Sequence, residues 1–463
     1  MGKQLQTISP IDGAVIVRRD YASAQQAATL LDRARAAQVA WRATPIAQRA
    51  ACLSRGVDAF VANKAQIAEE LTRQMGRPLR YTPGEVGGFE ARARHMITIA
   101  PDALQDVVPQ AQAGFNRFIR REPLGLVLVI APWNYPLLTA VNSVVPALMA
   151  GNAVLLKHSA QTPLAAERIV EAFSRVGLPE GLLQFIHTDH DGTQALIKAA
   201  QVDAVCFTGS VAGGAAVERA AAGRFIQVGL ELGGNDPAYV RADANLEHAV
   251  ETLVDGAFFN SGQSCCGIQR IYVQRSLYSK FVEQAVALTR QYVLGNPLDA
   301  DVTLGPLVRA AAADAVRATI DQATAKGAKG LIDARAFKLD VPGSAYVGPQ
   351  ILVDVNHSMD IMSEECFGPV VGIMPVDSDE EALRLMNDSA YGLTAALFTQ
   401  DEDVALRLGD ALQTGTVFMN RCDYLDPALA WTGVKNTGRG ATLSTLGYEH
   451  LTRPKSFHLK RLG

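Results

Sequence analysis

Two neighbouring cysteines, Cys265 and Cys266, follow the amide- and glycine-rich segment 259–264, Phe-Asn-Ser-Gly-Gln-Ser. A cysteine in a tight, glycine-rich turn can be a reactive nucleophile, because backbone N–H groups there can stabilise a thiolate. Free cysteines are also among the most buried residue types, so the two sulfurs could instead be small core residues. The segment alone does not decide between a catalytic and a structural interpretation.

Two carboxylates stand where they could assist such a site. Glu231 follows the apolar run 226–230 and precedes Leu-Gly-Gly, a position suited to a general base, although it could equally form a salt bridge or cap a helix. Glu365 lies two residues before Phe367, and this pair is suited to holding a sugar hydroxyl and a flat ring. The sequence thus offers one candidate base and one candidate ribose ligand.

The segment Pro-Trp-Asn-Tyr-Pro at 132–136 holds Asn134 in a turn between two prolines. A stiffly held side-chain amide could donate a hydrogen bond to a developing oxyanion, a task that depends on preorganisation. Judged locally, an asparagine that caps the next helix is the more ordinary interpretation. Asn134 therefore needs support from the rest of the chain.

Lys157 and Ser210 each follow a further apolar run. Lys157 could meet a ribose or phosphate, or simply lie in water. Gly209 and Ser210 open a helix whose N-terminus could receive a pyrophosphate, although Ser210 is also an ordinary N-cap. Residues 209–214 match the glycine spacing of a Walker loop, but 215–216 is Ala-Ala instead of Lys-Ser/Thr, which excludes an ATPase of that class.

These candidates lie on an alternation of strands and helices, which predicts an α/β fold with a parallel sheet. Ligands bind such sheets outside the carboxyl ends of the strands. No GxGxxG follows a strand, so the ordinary Rossmann fingerprint is missing. The predicted strands are 126–131, 153–156, 184–187, 204–207 and 226–230, and the predicted helices are 139–150, 163–176, 192–200 and 211–222.

The first hundred residues are predicted to be mostly helical, over 20–41, over 46–75 as one long helix or a pair, and over 84–99. The Arg and Glu residues there are interpreted as solvated faces. Residues 115–121 are predicted to form an exposed strand.

Composition narrows the function classes. The chain has 463 residues, of which 48% are hydrophobic and 19% charged, and its net charge of −4 includes no basic block, which argues against nucleic acid as a partner. Six cysteines in so long a chain predict no disulfide framework and therefore a cytoplasmic location. No apolar stretch approaches the ~20 residues that span a membrane. No CxxC or HExxH occurs, so we expect no metal site.

The motifs together resemble the aldehyde dehydrogenase superfamily over nearly the whole chain. Their order and spacing make this resemblance far more specific than any single motif. The matching segments are Pro-Trp-Asn-Tyr-Pro at 132–136, Gly-Asn-Ala-Val-Leu-Leu-Lys at 151–157, Phe-Thr-Gly-Ser at 207–210, Leu-Glu-Leu-Gly-Gly at 230–234, Asn-Ser-Gly-Gln-Ser-Cys at 260–265, Glu-Glu-Cys-Phe-Gly-Pro at 364–369 and Asn-Thr-Gly-Arg-Gly at 436–440.

The resemblance implies a role for each candidate residue. Cys265 becomes the nucleophile and Cys266 its neighbour, Asn134 the oxyanion donor and Glu231 the base that activates water. The implied reaction oxidises an aldehyde to a carboxylic acid through a thiohemiacetal and a thioester, with NAD or NADP as cofactor. The implied cofactor contacts are Trp133, Lys157, Ala160, Gly209, Ser210, Glu365 and Phe367.

Two positions depart from the family pattern. Members that prefer NAD commonly carry an acidic residue three positions after the lysine, where this chain has Ala160. We expect the loss of that carboxylate to remove repulsion against a 2′-phosphate, so that NADP is accepted. His158 replaces a common proline and is expected to face solvent.

The sequence specifies the substrate less precisely than the reaction or the cofactor. Polar residues suggest a tunnel less apolar than one for long alkyl aldehydes, and Arg421 could bind the carboxylate of a semialdehyde such as succinic semialdehyde. An ion pair of Arg421 with Asp423 or Asp426 is the expected alternative. By resemblance the tunnel is lined by Tyr135, Thr139, Asn142, Asp423, Leu425 and Trp431.

Other function classes fit less well. An aldehyde dehydrogenase that acylates coenzyme A must keep its thioester from water, which a base at Glu231 opposes. A thiol hydrolase would need a histidine in a comparable motif, and none is found. A non-catalytic member of the family would be expected to lose Cys265 or Glu231, and both are present.

The family's architecture implies a variant Rossmann cofactor domain at 1–103 and 123–232, and an α/β catalytic domain at 233–445. The remaining residues, 104–122 and 446–463, are expected to form a β oligomerisation arm. An edge strand in such an arm predicts a homodimer or a homotetramer.

Overall fold

The structure, a computed structural model, describes residues 3–462. Its amino-terminal part is a short hairpin, four helices and one long strand. The bounds are β1 Gln4–Ile8, β2 Val15–Asp20, α1 Ala24–Trp41, α2 Ile46–Val61, α3 Lys64–Met75, α4 Thr82–Ala103 and β3 Phe115–Pro123. The helices and the exposed strand confirm the sequence predictions, with 46–75 forming a pair. The hairpin was not predicted, because β1 turns only Leu5 and Thr7 inward, too few positions for a clear alternation.

The central part alternates strand and helix as predicted. All six residues of β4 are buried, which explains why this strand reads as a continuous apolar run. The bounds are β4 Leu126–Ala131, α5 Pro136–Met149, β5 Ala153–His158, α6 Pro163–Arg175, β6 Leu183–Phe185, α7 His190–Lys198, β7 Ala204–Thr208, α8 Val211–Ala221 and β8 Gln227–Glu231. These strands form a parallel sheet in the order β6-β5-β4-β7-β8.

The register of this sheet brings the functional turns to one edge. Ala131 pairs with His158 across β4 and β5, and Thr208 pairs with Glu231 across β7 and β8. The segments that follow β4, β5, β7 and β8 therefore emerge side by side at the carboxyl ends of the strands.

A second, mostly parallel sheet occupies the carboxyl-terminal half in the order β11-β12-β13-β10-β9-β15-β16, with β11 antiparallel to β12. The bounds in this half are β9 Asp236–Val240, α9 Leu246–Phe258, β10 Ile268–Gln274, α10 Arg275–Thr289, α11 Ala310–Ala325, β11 Lys329–Gly330, β12 Gln350–Val353, β13 Val370–Val376, α12 Asp379–Asn387, β14 Tyr391–Gly392, β15 Thr394–Phe398, α13 Glu402–Ala411 and β16 Thr416–Met419. The segment that carries the two cysteines connects α9 to β10.

The last part of the chain returns to the first sheet. Its bounds are β17 Trp431–Thr432, β18 Val434–Lys435, β19 Gly438–Arg439, β20 Ala441–Thr442, α14 Leu446–Glu449 and β21 Thr452–Lys460. Strand β19 pairs antiparallel with β8, so that Gly438 lies opposite Glu231. The predicted domain limits place this strand with the catalytic part, whereas its hydrogen bonds are to the first sheet.

Strands β3 and β21 form a separate antiparallel ribbon from Phe115↔Lys460 to Pro123↔Thr452. Phe118 and Phe457 stack across it with ring centroids 4.5 Å apart. Within residues 3–462 no helix combines the length and apolarity needed to cross a bilayer. The predicted ranges 1–103 and 446–463 also include Met1, Gly2 and Gly463, which lie outside the described residues.

Candidate active site

The turn before the cysteines has an unusual backbone. After α9 ends at Phe258, Asn260 and Ser261 both adopt left-handed conformations, with φ of 54° and 56°, and Gly262 follows at 69°. Non-glycine residues adopt this region at a cost of about 1 kcal/mol or more each, so the turn needs support from its surroundings. Strain of this kind is concentrated at functional sites.

Side chains of the turn supply that support. Asn260 Nδ2 donates to the Gln263 carbonyl at 3.1 Å, and Gln263 Nε2 donates to the Asn260 carbonyl at 3.1 Å. Ser261 Oγ donates to the Gly305 carbonyl at 2.8 Å. A Cβ at Gly262 would lie 2.1 Å from the Gly368 carbonyl oxygen, so the turn packs against 368–369 too closely for any other residue.

The two cysteines have different surroundings. Cys265 is half-buried and borders a cavity, whereas Cys266 is buried and donates to Asp423 Oδ1 at 2.8 Å. Its hydrogen bond with the neighbouring Cys265, then burial and the Asp423 carboxylate, raise the pKa of the Cys266 thiol well above its usual value. Cys266, although it also borders the cavity, is therefore held as a neutral thiol by its bond to Asp423.

Asn134 lies against the cysteine turn. It is buried, and its Nδ2 donates to the Gln263 carbonyl at 3.2 Å, two residues before Cys265. The amide carries two hydrogens, and among residues 3–462 Nδ2 has this one acceptor. The second hydrogen remains to serve an oxygen bound near Cys265.

A buried ion pair that sequence analysis missed fixes this arrangement. Arg77 and Glu85, whose side chains are 2% and 1% exposed, bond to each other. Arg77 also donates to the Asn134 carbonyl and, at 2.9 Å, to Asn260 Oδ1. Glu85 accepts from the backbone N–H of Leu137 at 2.9 Å. The pair thus joins the cysteine turn to the Asn134 turn.

Glu231 ends β8 with both carboxylate oxygens engaged. Thr208 Oγ1 donates to Oε2 at 2.9 Å, and Thr442 Oγ1 donates to Oε1. Burial raises the pKa of the Glu231 carboxyl, and the two threonine hydroxyls oppose that rise. A carboxylate with a raised pKa is a stronger base than an exposed one, as a general base requires.

Cys265 and Glu231 border one cavity of about 730 Å³. The wall also contains all six predicted substrate residues, which are Tyr135, Thr139, Asn142, Asp423, Leu425 and Trp431. A thiol and a carboxylate in the wall of one cavity, with the Asn134 amide packed behind the cysteine turn, can together add a nucleophile to a carbonyl and then direct water to the product.

Two of the six residues, Asp423 and Thr139, form hydrogen bonds within the protein that the sequence prediction did not include. The Asp423 carboxylate accepts from Ser264 Oγ at 3.0 Å as well as from Cys266, so it supports the cysteine turn. Thr139 Oγ1 donates to the Tyr135 carbonyl at 2.8 Å, within its own helix. Both therefore contribute shape more than free hydrogen-bonding groups.

The expected ion pair of Arg421 is wrong. Within residues 3–462 its guanidinium forms no salt bridge with Asp423 or Asp426; it stacks on the Tyr424 ring, 3.4 Å from the centroid, at an exposed edge of the cavity. Asp423 is turned towards the buried cysteine segment, and the aromatic face of Tyr424 is the nearer partner.

The predicted cofactor residues lie at the carboxyl edge of the first sheet and beside the cysteine turn. Trp133 and Phe367 make an edge-to-face contact, with centroids 5.6 Å apart. Glu365 Oε1 accepts from the Gly234 N–H at 3.1 Å, and burial raises the pKa of this carboxyl to about 7. A carboxylate beside an aromatic pair fits a nicotinamide riboside.

The remaining predicted cofactor residues supply a cationic group and backbone N–H groups. Burial lowers the pKa of Lys157 at the end of β5, and its Nζ forms no hydrogen bond to residues 3–462. Ser210 caps α8 by accepting from the Gly213 N–H at 3.1 Å, while the Gly209 N–H donates to the Glu231 carbonyl. An unpartnered ammonium and a helix N-terminus form a donor set that fits phosphate and ribose oxygens. Ala160 contributes no carboxylate there.

The expectation that His158 faces solvent is wrong. The ring is 2% exposed, and neither nitrogen has a hydrogen-bond partner among residues 3–462. Burial, with smaller contributions from the charges of Lys157 and His187, lowers the pKa of His158 to about 3. The residue extends β5 by two positions beyond the predicted end at 156, and this carries its side chain into the interior.

The charged residues of α4 were also misinterpreted. Glu85 and Arg92 are buried in the cavity wall rather than on a solvated face. A signal was available, since Arg92 lies three residues after Phe89 and four before Met96, and both of these are fully buried. A charged residue within the apolar stripe of a helix indicates a buried charge.

A parallel sheet with dinucleotide-binding groups at its edge, next to a cavity that holds a thiol and a carboxylate, defines a nicotinamide-dependent dehydrogenase that works through cysteine. A family model described as "Aldehyde dehydrogenase family" matches residues 1–457. The chain belongs to the aldehyde dehydrogenase family, and it is an NAD(P)-dependent oxidoreductase that converts aldehydes to carboxylic acids.

Similar proteins extend over the whole chain. Succinate semialdehyde dehydrogenase [NAD(P)+] of Escherichia coli K12 is 34% identical, covering 95% of each chain. Betaine aldehyde dehydrogenase of Agrobacterium fabrum is 34% identical, covering 99% of this chain and 93% of that protein. The crystal structure of an aldehyde dehydrogenase from Brucella melitensis biovar abortus superposes with a TM-score of 0.95 at 30% identity, covering 100% of this chain and 95% of the other. The family and fold predicted from the motifs are confirmed.

Proposed function

We propose that Cys265 is the nucleophile of this aldehyde oxidation. The supporting observation is the contrast within the cysteine pair. Cys265 is half-buried in the cavity wall, while Cys266, which also borders the cavity, is buried, donates to Asp423 and has a raised pKa. Attack of the Cys265 thiolate on the aldehyde carbon forms a carbon–sulfur bond and leaves negative charge on the carbonyl oxygen.

Asn134 and Glu231 serve the two halves of the reaction. Asn134 Nδ2 donates its second hydrogen to the oxyanion, together with the Cys265 backbone N–H. Loss of one such donor typically costs ~10²–10³ in rate. After hydride has left the substrate carbon, Glu231 takes a proton from a water that attacks the Cys265 thioester, which releases the acid and the thiolate. A buried base positioned for water favours hydrolysis over transfer to coenzyme A.

Residues at the carboxyl edge of the first sheet and beside the cysteine turn would hold the cofactor. Lys157 and Ala160 would bind near the adenosine ribose, Gly209 and Ser210 would meet the pyrophosphate, and Glu365 would hold the nicotinamide ribose. Trp133 and Phe367 would pack against the nicotinamide ring. When bound, the nicotinamide supplies the hydride acceptor.

The absence of a carboxylate at Ala160 favours acceptance of a 2′-phosphate. We expect kcat/KM with NADP to be at least comparable to that with NAD, and Ala160→Glu to lower only the NADP value. A preference of the native enzyme for NAD above roughly tenfold, about 1.4 kcal/mol, would contradict this proposal.

Exchange of each cysteine tests the assignment of the nucleophile. Cys265→Ser should nearly abolish NAD(P)H formation with any aldehyde, while Cys266→Ser, which keeps a donor for Asp423, should retain most of it. Iodoacetamide labelling followed by peptide mass spectrometry should modify 265 first. Swapped outcomes would show that the register through this turn is wrong.

A semialdehyde is the second, narrower candidate for the substrate. The Escherichia coli relative is named for succinate semialdehyde, and the tunnel contains the polar residues Thr139 and Asn142. A quaternary-ammonium aldehyde is the competing class, since the Agrobacterium relative is named for betaine aldehyde. Steady-state turnover of both aldehydes and of butanal separates the classes.

We further propose that the ribbon β3–β21 is an oligomerisation arm that joins subunits as a homodimer or homotetramer. Among residues 3–462 the outer edge of β21 pairs with no further strand, whereas Val107 bridges the outer edge of β3 at Ile119. Phe118 and Phe457 stack across the ribbon. The division of the chain into cofactor domain, catalytic domain and arm rests on the same ribbon and the two sheets. A cytoplasmic location agrees with six free cysteines.

A further inference from the structure

The side chains of two arginines, Arg77 and Arg92, are buried in the wall of the cavity, and only Arg77 is paired with a carboxylate. Arg77 is paired with Glu85. Arg92 lies about two turns beyond Glu85 on α4. It is 8% exposed and forms no salt bridge with any carboxylate of residues 3–462. An arginine stays charged inside a protein, and a buried charge without a partner is costly. Arg92 is therefore a cation that still lacks its counter-ion.

The few hydrogen bonds of Arg92 are to neutral acceptors. Its Nη1 donates to the Leu138 carbonyl at 3.1 Å and to Asn142 Oδ1 at 3.2 Å. Its Nε and Nη2, like Asn142 Nδ2, have no acceptor among residues 3–462, and none of these three atoms is sealed in the interior. The hydrogen-bonding atoms that Arg92 and Asn142 leave unused are therefore all nitrogen donors, because Asn142 Oδ1 already accepts from Arg92.

We propose that Arg92 and Asn142 bind a carboxylate at the far end of the substrate, so that the preferred aldehydes are short semialdehydes. The inference rests on the proposed oxidation at Cys265 and names the substrate class of that site. A carboxylate has only acceptors when ionised, and a guanidinium fork with an adjacent amide matches it in charge and shape.

The position along α5 limits the length of such a substrate. Asn134 precedes the helix, and Leu138 and Asn142 are two and six residues past its first residue, roughly 3 and 9 Å along the axis. A chain of a few carbons connects an aldehyde at Cys265 with a carboxylate at this level. A long alkyl chain would have to pass the guanidinium and desolvate it.

The other carboxylates of the cavity do not pair with Arg92. Asp423 and Glu85 act on it through their charge, but Asp423 accepts hydrogen bonds from Ser264 and Cys266, and Glu85 is paired with Arg77. Glu251 and Asp255 lie on α9, where both are exposed to solvent, and neither bonds to Arg92. Glu231 is near enough for its charge to favour the protonated form of Arg92 but is not within ion-pair distance. Arg92 could therefore act on Glu231 instead of on substrate, and the two roles differ in their dependence on substrate charge.

The test compares two four-carbon aldehydes, succinic semialdehyde and butanal, in the native enzyme, in Arg92→Gln and in Arg94→Gln. Arg94 is on the same helix but is exposed and paired with Asp58 and Glu90, which makes it a matched control. We expect Arg92→Gln to lower kcat/KM for succinic semialdehyde about 30-fold or more, mainly through KM, and to change butanal less than about threefold. Arg94→Gln should change neither.

Inhibition gives a second measurement that needs no variant. Succinate should inhibit butanal oxidation by the native enzyme competitively with the aldehyde, and more strongly than butyramide. Equal losses on both aldehydes in Arg92→Gln, or a native enzyme that prefers butanal and ignores succinate, would overturn the inference while leaving aldehyde oxidation intact. Absence of NAD(P)H formation with every aldehyde would instead overturn the proposed function.

Discussion

Two opposing influences act on the carboxyl of Glu231, the proposed base. Burial raises the pKa of its carboxyl, and hydrogen bonds from Thr442 and Thr208 lower it. Because an acid with a raised pKa is ionised only at higher pH, hydrolysis of the thioester should increase with pH as Glu231 loses its proton. By lowering the pKa of Glu231, the two hydroxyls lower the pH at which this increase occurs.

Replacement of one hydroxyl should shift the pH profile. In Thr442→Val the carboxylate loses a donor that favours its ionised form, so the pKa rises further and the acidic limb of the kcat profile moves to higher pH. The same exchange at Thr445, whose side chain makes no hydrogen bond to Glu231, is the control. Measured kcat between pH 5 and pH 9 that shows no displacement, or a displacement to lower pH, would contradict this origin of the pKa.

At the scale of elements, the ion pair Arg77–Glu85 joins the start of α4 to the Asn134 turn and the cysteine turn. Its position implies two separable contributions, one to stability and one to activity. Removing one partner of a buried pair leaves an unpaired charge and typically costs about 3–5 kcal/mol, whereas replacing both by apolar residues can be neutral. Any variant that replaces Arg77 also loses its hydrogen bonds to the Asn134 carbonyl and to Asn260.

A single and a double variant separate these contributions. Glu85→Gln should lower the free energy of unfolding by about 3 kcal/mol in urea titrations. Arg77→Met combined with Glu85→Leu should recover much of that loss, yet keep a kcat reduced by at least about tenfold, because Asn134 is no longer fixed. A double variant with native kcat would show that the pair is only structural.

At the scale of the molecule, the ribbon β3–β21 is expected to hold subunits together. Ending the chain after Lys455 removes the carboxyl-terminal half of β21 and should shift the mass measured by light scattering towards that of one subunit. A chain ending after Lys460 keeps the whole strand and serves as the control. An unchanged mass in the shorter chain would place the subunit contact elsewhere.

The sequence was sufficient for elements whose environment is uniform. Strands β4 and β5 are recognisable because a strand buried on both faces must be continuously apolar. The candidate catalytic residues follow from motifs that stand at fixed distances from the strands of this sheet. Arg92, Glu85 and His158 were misplaced, because the burial of a polar side chain depends on a neighbouring element and not on its own flanking residues. The hydrogen bonds that occupy Asp423 are similarly non-local, and so is the pairing of β19 with β8.

That last pairing has a consequence for synthesis of the protein. Gly438, near the end of the chain, completes the edge of the sheet beside Glu231, and Thr442 just after it supplies one of the hydrogen bonds to the base. Contacts between residues so distant in sequence form late, since a domain emerges from the ribosome amino-terminus first. A nascent chain that has not yet reached these residues lacks both the strand that pairs beside Glu231 and the Thr442 hydroxyl that bonds to its carboxylate. Placement of that carboxylate is thereby deferred until residues 438–442 have been synthesised, well after the cysteine turn.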